Sequence, residues 1–198
     1  MNKKTAKKKI FKIWLFLLII VYVSCFSSCK GMPANYINPN FDFSLIQRIG
    51  VLPMENFTQD NNAGEKIRRV VVNEILSSQF LDVVEVGQVN RAIKEAKVED
   101  LFNMNKEEYK NVGESLETQL LIKGSVGTYG ASNIGGASIS QVSVSLIAID
   151  ISSGEIVWSA SGSKSGAGII EKIFGISGPS LPQVARECVA DLVNTLFQ

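Results

Sequence analysis

The 198-residue chain is expected to fold as a single layered α/β domain with a mixed or antiparallel sheet, in the order β-α-β-α-α-β-β-β-α. Three observations carry that expectation. Apolar residues recur at intervals of three and four in residues 64–79 and again in 180–197, the period of a helix with one buried stripe. Residues 120–129, 141–151 and 155–163 are rich in β-branched side chains and are separated by turn signals. In the first half, short apolar runs alternate with helical patterns, which points to stacked layers.

Taken in order, residues 30–40 carry Gly31, Pro33, Asn35, Asn38 and Pro39, the composition of an exposed tether (residues 29–40) ahead of one domain over 41–198. Residues 48–53 read as a short apolar strand stopped by Pro53. The first helix places Ile67, Val70, Val71, Ile75 and Leu76 on one face and Glu65, Lys66, Arg68 and Arg69 outside. Residues 81–86 form a second strand, and 87–97, with Val89, Ile93 and Ala96, a second helix. Asn105 caps a third helix with Glu108 in the capping-box position, and Tyr109, Val112 and Leu116 share its inner face. The three β-branched runs should pair as an antiparallel meander, with Ser152, Ser153 and Gly154 turning the chain between the last two. Trp158 and Tyr129 are expected to be packing residues of that meander. Ser180 is placed to cap the final helix, whose stripe includes Val184, Ala185, Cys188, Val189 and Leu192.

The N-terminus has a different character. Lys3, Lys4, Lys7, Lys8, Lys9 and Lys12 precede an apolar stretch over residues 13–23, and Ser27-Ser28-Cys29 follows. A basic segment, a short apolar stretch and small residues before a cysteine are the parts of a bacterial lipoprotein signal peptide (residues 1–28), cleaved at a lipidated thiol. The stretch is about half the roughly 20 residues a membrane-spanning helix needs. Cys29 is the expected acceptor and Cys25, preceded by Ser24, the alternative. Several acyl chains on one cysteine suffice for stable anchoring. The absence of aspartate after Cys29 suits outer-membrane sorting.

Without the signal, 14 basic side chains face 19 acidic ones, a net charge of about −5. No basic cluster remains, so nucleic acid is not an expected partner. One cysteine is removed and one lipidated, which leaves Cys188 no disulfide partner. The chain has no histidine. That removes the commonest general base, the usual catalytic triads and most zinc sites. Cys188 lies on an apolar stripe and reads as a buried thiol. The pairs Asp82/Glu85 and Glu107/Glu108 read as solvated. Gly124, Gly127, Gly130, Gly135 and Gly136 lack the Lys-Ser/Thr and the helix of a phosphate loop and read as strand and turn glycines. No enzyme, cofactor or metal is expected.

Several strings carry a resemblance: IGVLPMENF (49–57), FLDVVE (80–85), RAIKE (91–95), LIKGSV (121–126) and IDISSGEIVW (149–158). Together they make the chain resemble the CsgG-like lipoprotein family of curli assembly and transport components, over nearly all of residues 45–197. The resemblance implies the α/β fold shared with the N-terminal domain of TolB and with lipoprotein activators of penicillin-binding proteins, in an outer-membrane-tethered, periplasm-facing setting. Family members that form a pore insert two amphipathic hairpins. A spanning strand needs about 9–11 residues, whereas residues 130–137 read as a turn only.

The segment 165–179 carries Ile169, Ile170, Ile173, Phe174 and Ile176 between glycines. It has three readings: core folded over the sheet edge, contact with a partner or sister subunit, or a dip into lipid headgroups. The expected function is a membrane-anchored lipoprotein acting through protein contacts in envelope assembly or secretion, with an envelope protein or a homo-oligomer as partner. The alternatives are a secretion-channel subunit and an activator of a cell-wall synthase.

Overall fold

A computed structural model describes residues 33–134, 137–166 and 178–197. The signal segment with Cys25 and Cys29, and the segment with Ile169, Ile170, Ile173, Phe174 and Ile176, lie outside the described residues, as do Gly135 and Gly136. All described residues belong to the unit Pro33–Gln198.

Among the described residues, seven strands form one mixed sheet with four helices packed on it. The strands are β1 (Ala34–Ile37), β2 (Arg48–Val51), β3 (Glu55–Asn56), β4 (Asp82–Val83), β5 (Leu120–Ile134), β6 (Ala137–Asp150) and β7 (Ile156–Ser165). The helices are α1 (Ala63–Ser78), α2 (Val86–Glu95), α3 (Lys106–Ser115) and α4 (Leu181–Val193). The sheet order is β1-β7-β6-β5-β2-β4, with β3 pairing β5 beyond the end of β2. The expected meander β5-β6-β7 is antiparallel, while β2 runs parallel to both β5 and β4.

Alternation along the strands splits the core in two. Leu120, Ile122 and Val126 of β5, with Val142, Val144, Leu146 and Ala148 of β6, face α1 and α4. Leu121 and Ile149 face α2 and α3. Trp158 is fully buried, and its indole nitrogen donates to Thr195 Oγ1 at 3.1 Å. Tyr129 is half-buried at the rim of the first cluster, with Lys66 Nζ 5.4 Å from its ring centre. Asn105 and Glu108 form the expected capping box on α3. Glu85 caps α2 by accepting from the Gln88 amide.

Four local expectations are corrected. Residues 34–37, assigned to the tether, are strand β1, registered as Ala34↔Ser161 through Ile37↔Trp158. Flanking Pro and Asn signal a loop, but the unsatisfied edge of β7 supplies the ladder that these four residues join. Arg68, placed outside α1, is fully buried, because its donors find acceptors at the end of β2 and on α2. Residues 130–134 and 137, assigned to a turn, are strand: β5 and β6 stay paired from Gly130↔Gln141 to Ile134↔Ala137. Serine, glycine and alanine carry little β-propensity, and here the partner strand decides. The strand expected over 81–86 shrinks to Asp82–Val83, since Glu85 is already the cap of α2.

Candidate functional site

Helix ends and loops meet at the end of the sheet where β5 begins and β1 ends. There Ile37, Phe43, Ile46, Leu81, Leu120, Leu196 and Phe197 line an open apolar groove of about 580 Å³. Each wall has a local cause. Gln79 closes α1 in the left-handed conformation, φ 61°, and the reversal throws Phe80 outward. Asp42 caps a short 3-10 turn over Phe43–Leu45 by accepting from the Ser44 amide, which holds Phe43 against Phe41 at 4.8 Å between ring centres. That hydrogen-bonded Ser44, through hydroxyl and amide, also keeps the Asp42 carboxyl below its usual pKa. α4 continues into a 3-10 turn, Asn194–Phe197, which brings Phe197 to 5.3 Å from Phe80.

The rim is exposed as well as apolar. Phe80, in the groove wall, keeps 73% of its surface, and Leu45, between the wall residues Ser44 and Ile46 in the chain, 69%, the two largest exposures among the large hydrophobic residues described. Exposed apolar side chains gathered around a concavity mark a contact surface rather than chance. Sequence periodicity misses this site because its residues come from two loops, the ends of β1 and β5, and the 3-10 turn after α4. The one signal was aromatic density in loops: Phe41, Phe43, Phe80 and Phe197 lie outside every α-helix and strand.

A second surface lies on the sheet face that α2 and α3 leave uncovered. Ser125, Gly127, Ser143, Ser145, Ser161 and Ser163 line a shallow depression of about 300 Å³. Residues 124–149 contain no Asp, Glu, Lys or Arg. This face is flat, hydroxyl-rich and uncharged.

Reactive chemistry is sparse. Cys188 is buried, and burial pushes its thiol up to about 11, away from thiolate at neutral pH. Glu85 and Glu108 serve as helix caps. Among the described residues no group of three or more acidic or cysteine side chains is placed to hold a metal ion, and no helix is long and apolar enough to cross a membrane. Of the glycines expected at strand positions, Gly124 is there for packing, since a Cβ on it would stand 2.4 Å from Ser145 O, whereas a Cβ on Gly130 would meet nothing within 4 Å.

No family model and no curated protein matches the chain. Solved structures do. The PelC dodecamer from Paraburkholderia phytofirmans aligns over 82% of this chain and 96% of that one, with a TM-score of 0.56 and 16% identity. Lipoprotein GNA1162 from Neisseria meningitidis aligns over 76% of this chain and 98% of its own, with a TM-score of 0.55 and 19% identity. The hypothetical protein CT253 from Chlamydia trachomatis aligns over 76% and 95%, with a TM-score of 0.50 and 11% identity. The chain has their fold. At these identities the likeness is one of architecture, and it extends over almost the whole of each neighbour.

Proposed function

We propose that the chain is a periplasm-facing, outer-membrane lipoprotein, anchored through Cys29 with Cys25 as the alternative acceptor, that works through protein contacts in envelope assembly or secretion and not as an enzyme. Two independent features support the anchor: the signal-peptide pattern ending in Ser27-Ser28-Cys29, and a fold shared with a protein named as a lipoprotein. The CsgG-like strings noted above support the assembly or secretion role.

The observation that carries the contact reading is the groove with exposed Phe80 in its wall and exposed Leu45 between its wall residues Ser44 and Ile46. It opens at the end of the sheet where β1 closes with Ile37, away from Pro33. A photocrosslinking amino acid at Leu45 or Phe80 in intact cells should recover an envelope protein. Crosslinks to lipid alone would overturn the proposal.

A homo-oligomer is the second reading, supported by the dodecameric neighbour. Sedimentation of the Cys29→Ala protein tests it directly. A channel is disfavoured, because β5 and β6 continue for only four pairs beyond the last β6–β7 pair, fewer than the about 9–11 residues of a spanning strand. Planar-bilayer conductance from the lipidated protein would reverse that judgement. Activation of a distant cell-wall synthase is also disfavoured, since four residues from Cys29 to Pro33 span at most about 14 Å.

A further inference from the structure

The groove at the end of the sheet has a charge pattern as well as a shape. Residues 33–47, 70–90 and 187–197 supply every lining residue except Leu120, and none of these stretches contains a lysine or an arginine. They do contain acidic side chains, most of them engaged: Glu74 pairs with Arg186, Glu187 and Asp191 with Lys164, and Glu85 caps α2. Asp42 and Asp82 remain. Both are exposed, and neither takes part in the ion pairs of the described residues. Arg48, the next base along the chain from Ile46, lines a separate cleft with Arg91 and has Glu117 at 3.8 Å.

Asp42 is tied to the groove wall itself. Its Oδ1 accepts from the hydroxyl of the lining residue Ser44 at 2.6 Å and from the Ser44 amide at 3.0 Å. Those bonds hold its pKa below the ordinary carboxylate value, so it is an anion at neutral pH. Asp82 directly follows the lining residue Leu81. Phe43, Phe80 and Phe197 line the same space. Ring faces attract cations, and the carboxylates add to that attraction. An acidic side chain entering here would meet like charges and no base in the wall.

The backbone beside the groove favours a polypeptide. β4 ends the strand order, and Asp82 and Val84 donate their amides to the carbonyls of Gln47 and Ile49, each at 2.9 Å. Strand alternation turns the Val83 amide the other way, toward an edge that no strand of the described residues covers. An extended segment can add to such an edge through its main chain, which a lipid cannot do. Resting on the contact reading above, we propose that the groove receives an extended segment of a partner protein in which lysine or arginine alternates with apolar residues. The apolar side chains fill the space between the rings, and the basic ones lay their stems on the rings and reach the carboxylates.

The test uses the full lipidated chain in nanodiscs of phosphatidylcholine, with empty discs as the baseline. Two short fluorescent peptides alternate leucine with a charged residue, lysine in one and glutamate in the other, and their binding is followed by anisotropy. The lysine peptide should bind at least about fivefold more tightly, because exposed ion pairs and ring contacts are each modest but act together. Asp42→Asn combined with Asp82→Asn should erase that preference. Asparagine still accepts from the Ser44 amide as a cap, so the wall keeps its shape. Phe80→Ser should weaken binding of the lysine peptide. Equal binding of the two peptides, tighter binding of the glutamate peptide, binding of neither, or a preference that survives the double substitution overturns the proposal. Photocrosslinking at Phe80 in cells separates it from the reading on which it rests. An envelope protein captured through an acidic or wholly apolar segment sinks the basic-segment assignment alone. A second copy in the groove also sinks that assignment and leaves the homo-oligomer standing. Lipid alone removes the contact reading and this one with it.

Discussion

Arg68 donates its Nε and one terminal nitrogen to the carbonyl oxygen of Val51, at 2.9 and 2.8 Å. Its other terminal nitrogen reaches Asn90 Oδ1 at 2.8 Å and Glu65 Oε1 at 3.3 Å. One side chain of α1 thereby satisfies the last carbonyl of β2 and binds α2, which packs on the other face of the sheet. Burial lowers the guanidinium pKa, and the Glu65 carboxylate beside it works the other way.

Arg68→Ala should therefore be among the most damaging single changes in the domain. Breaking a buried, hydrogen-bonded charge and stranding the Val51 carbonyl costs about 3–5 kcal/mol. Arg68→Lys keeps the charge without the planar fork and should recover only part of the loss. Urea unfolding of both variants measures the difference. A loss below about 1 kcal/mol for Arg68→Ala would show that water replaces the network.

In the order of elements, the sequence pattern and the structure agree wherever a long amphipathic period or a β-branched run exists. α1, α3, α4 and the cores of β5, β6 and β7 fall within a few residues of their expected places. What stays hidden has no local signal. β1 exists because β7 offers an edge, and Arg68 is inside because acceptors await it there. Helix ends are blurred for a related reason: Gln79, Lys97 and Glu117 adopt positive φ where glycine would have marked the stop. The groove is assembled from loops and strand ends, so no single periodicity could reveal it.

The β6–β7 turn should respond to acid. Burial of Asp150 acts to raise its pKa, but hydrogen bonds from Ser152 and Ser153 outweigh that and hold the carboxyl below its usual value. A depressed folded-state pKa means stability that is complete above the unfolded value of about 3.9 and is lost as pH falls through the folded one. Asp150→Asn should lower the urea midpoint at neutral pH and flatten its decline below about pH 4. An unchanged slope would assign the acid sensitivity to other carboxylates.

Cys188 should be silent to thiol reagents in the native state. It packs under β6 and β7, 3.9 Å from Val142 O and 3.8 Å from Gly162 O. Ellman's reagent at about pH 8 should label it only as fast as the domain opens, because its pKa is pushed up to about 11. Rapid native labelling would contradict the burial.

Gly124→Ala tests the closeness of β5 and β6. The new Cβ would meet backbone, Ser145 O at 2.4 Å, and Leu146 Cδ2 at 2.8 Å. Backbone cannot swing aside as a side-chain tip can, so overpacking of about 1–3 kcal/mol is expected. Thermal melts of the variant beside Gly130→Ala, where nothing lies within 4 Å, isolate the steric effect.

Groove function separates from groove stability at Phe80. Since Phe80 is 73% exposed, Phe80→Ser should cost under about 1 kcal/mol while reducing recovery of any partner that docks there. Normal recovery with a normal melting curve would move the contact surface elsewhere.

The four-residue pairing of β1 with β7 also has a mechanical meaning. Any pull exerted through the N-terminus runs along the axis of β1, parallel to β7, rather than across it. The ladder bonds are then loaded in shear and must yield together, instead of opening one by one like a zipper. A strand of only four residues thus acts as a strain relief that keeps tension on the N-terminal segment from being felt first by the core.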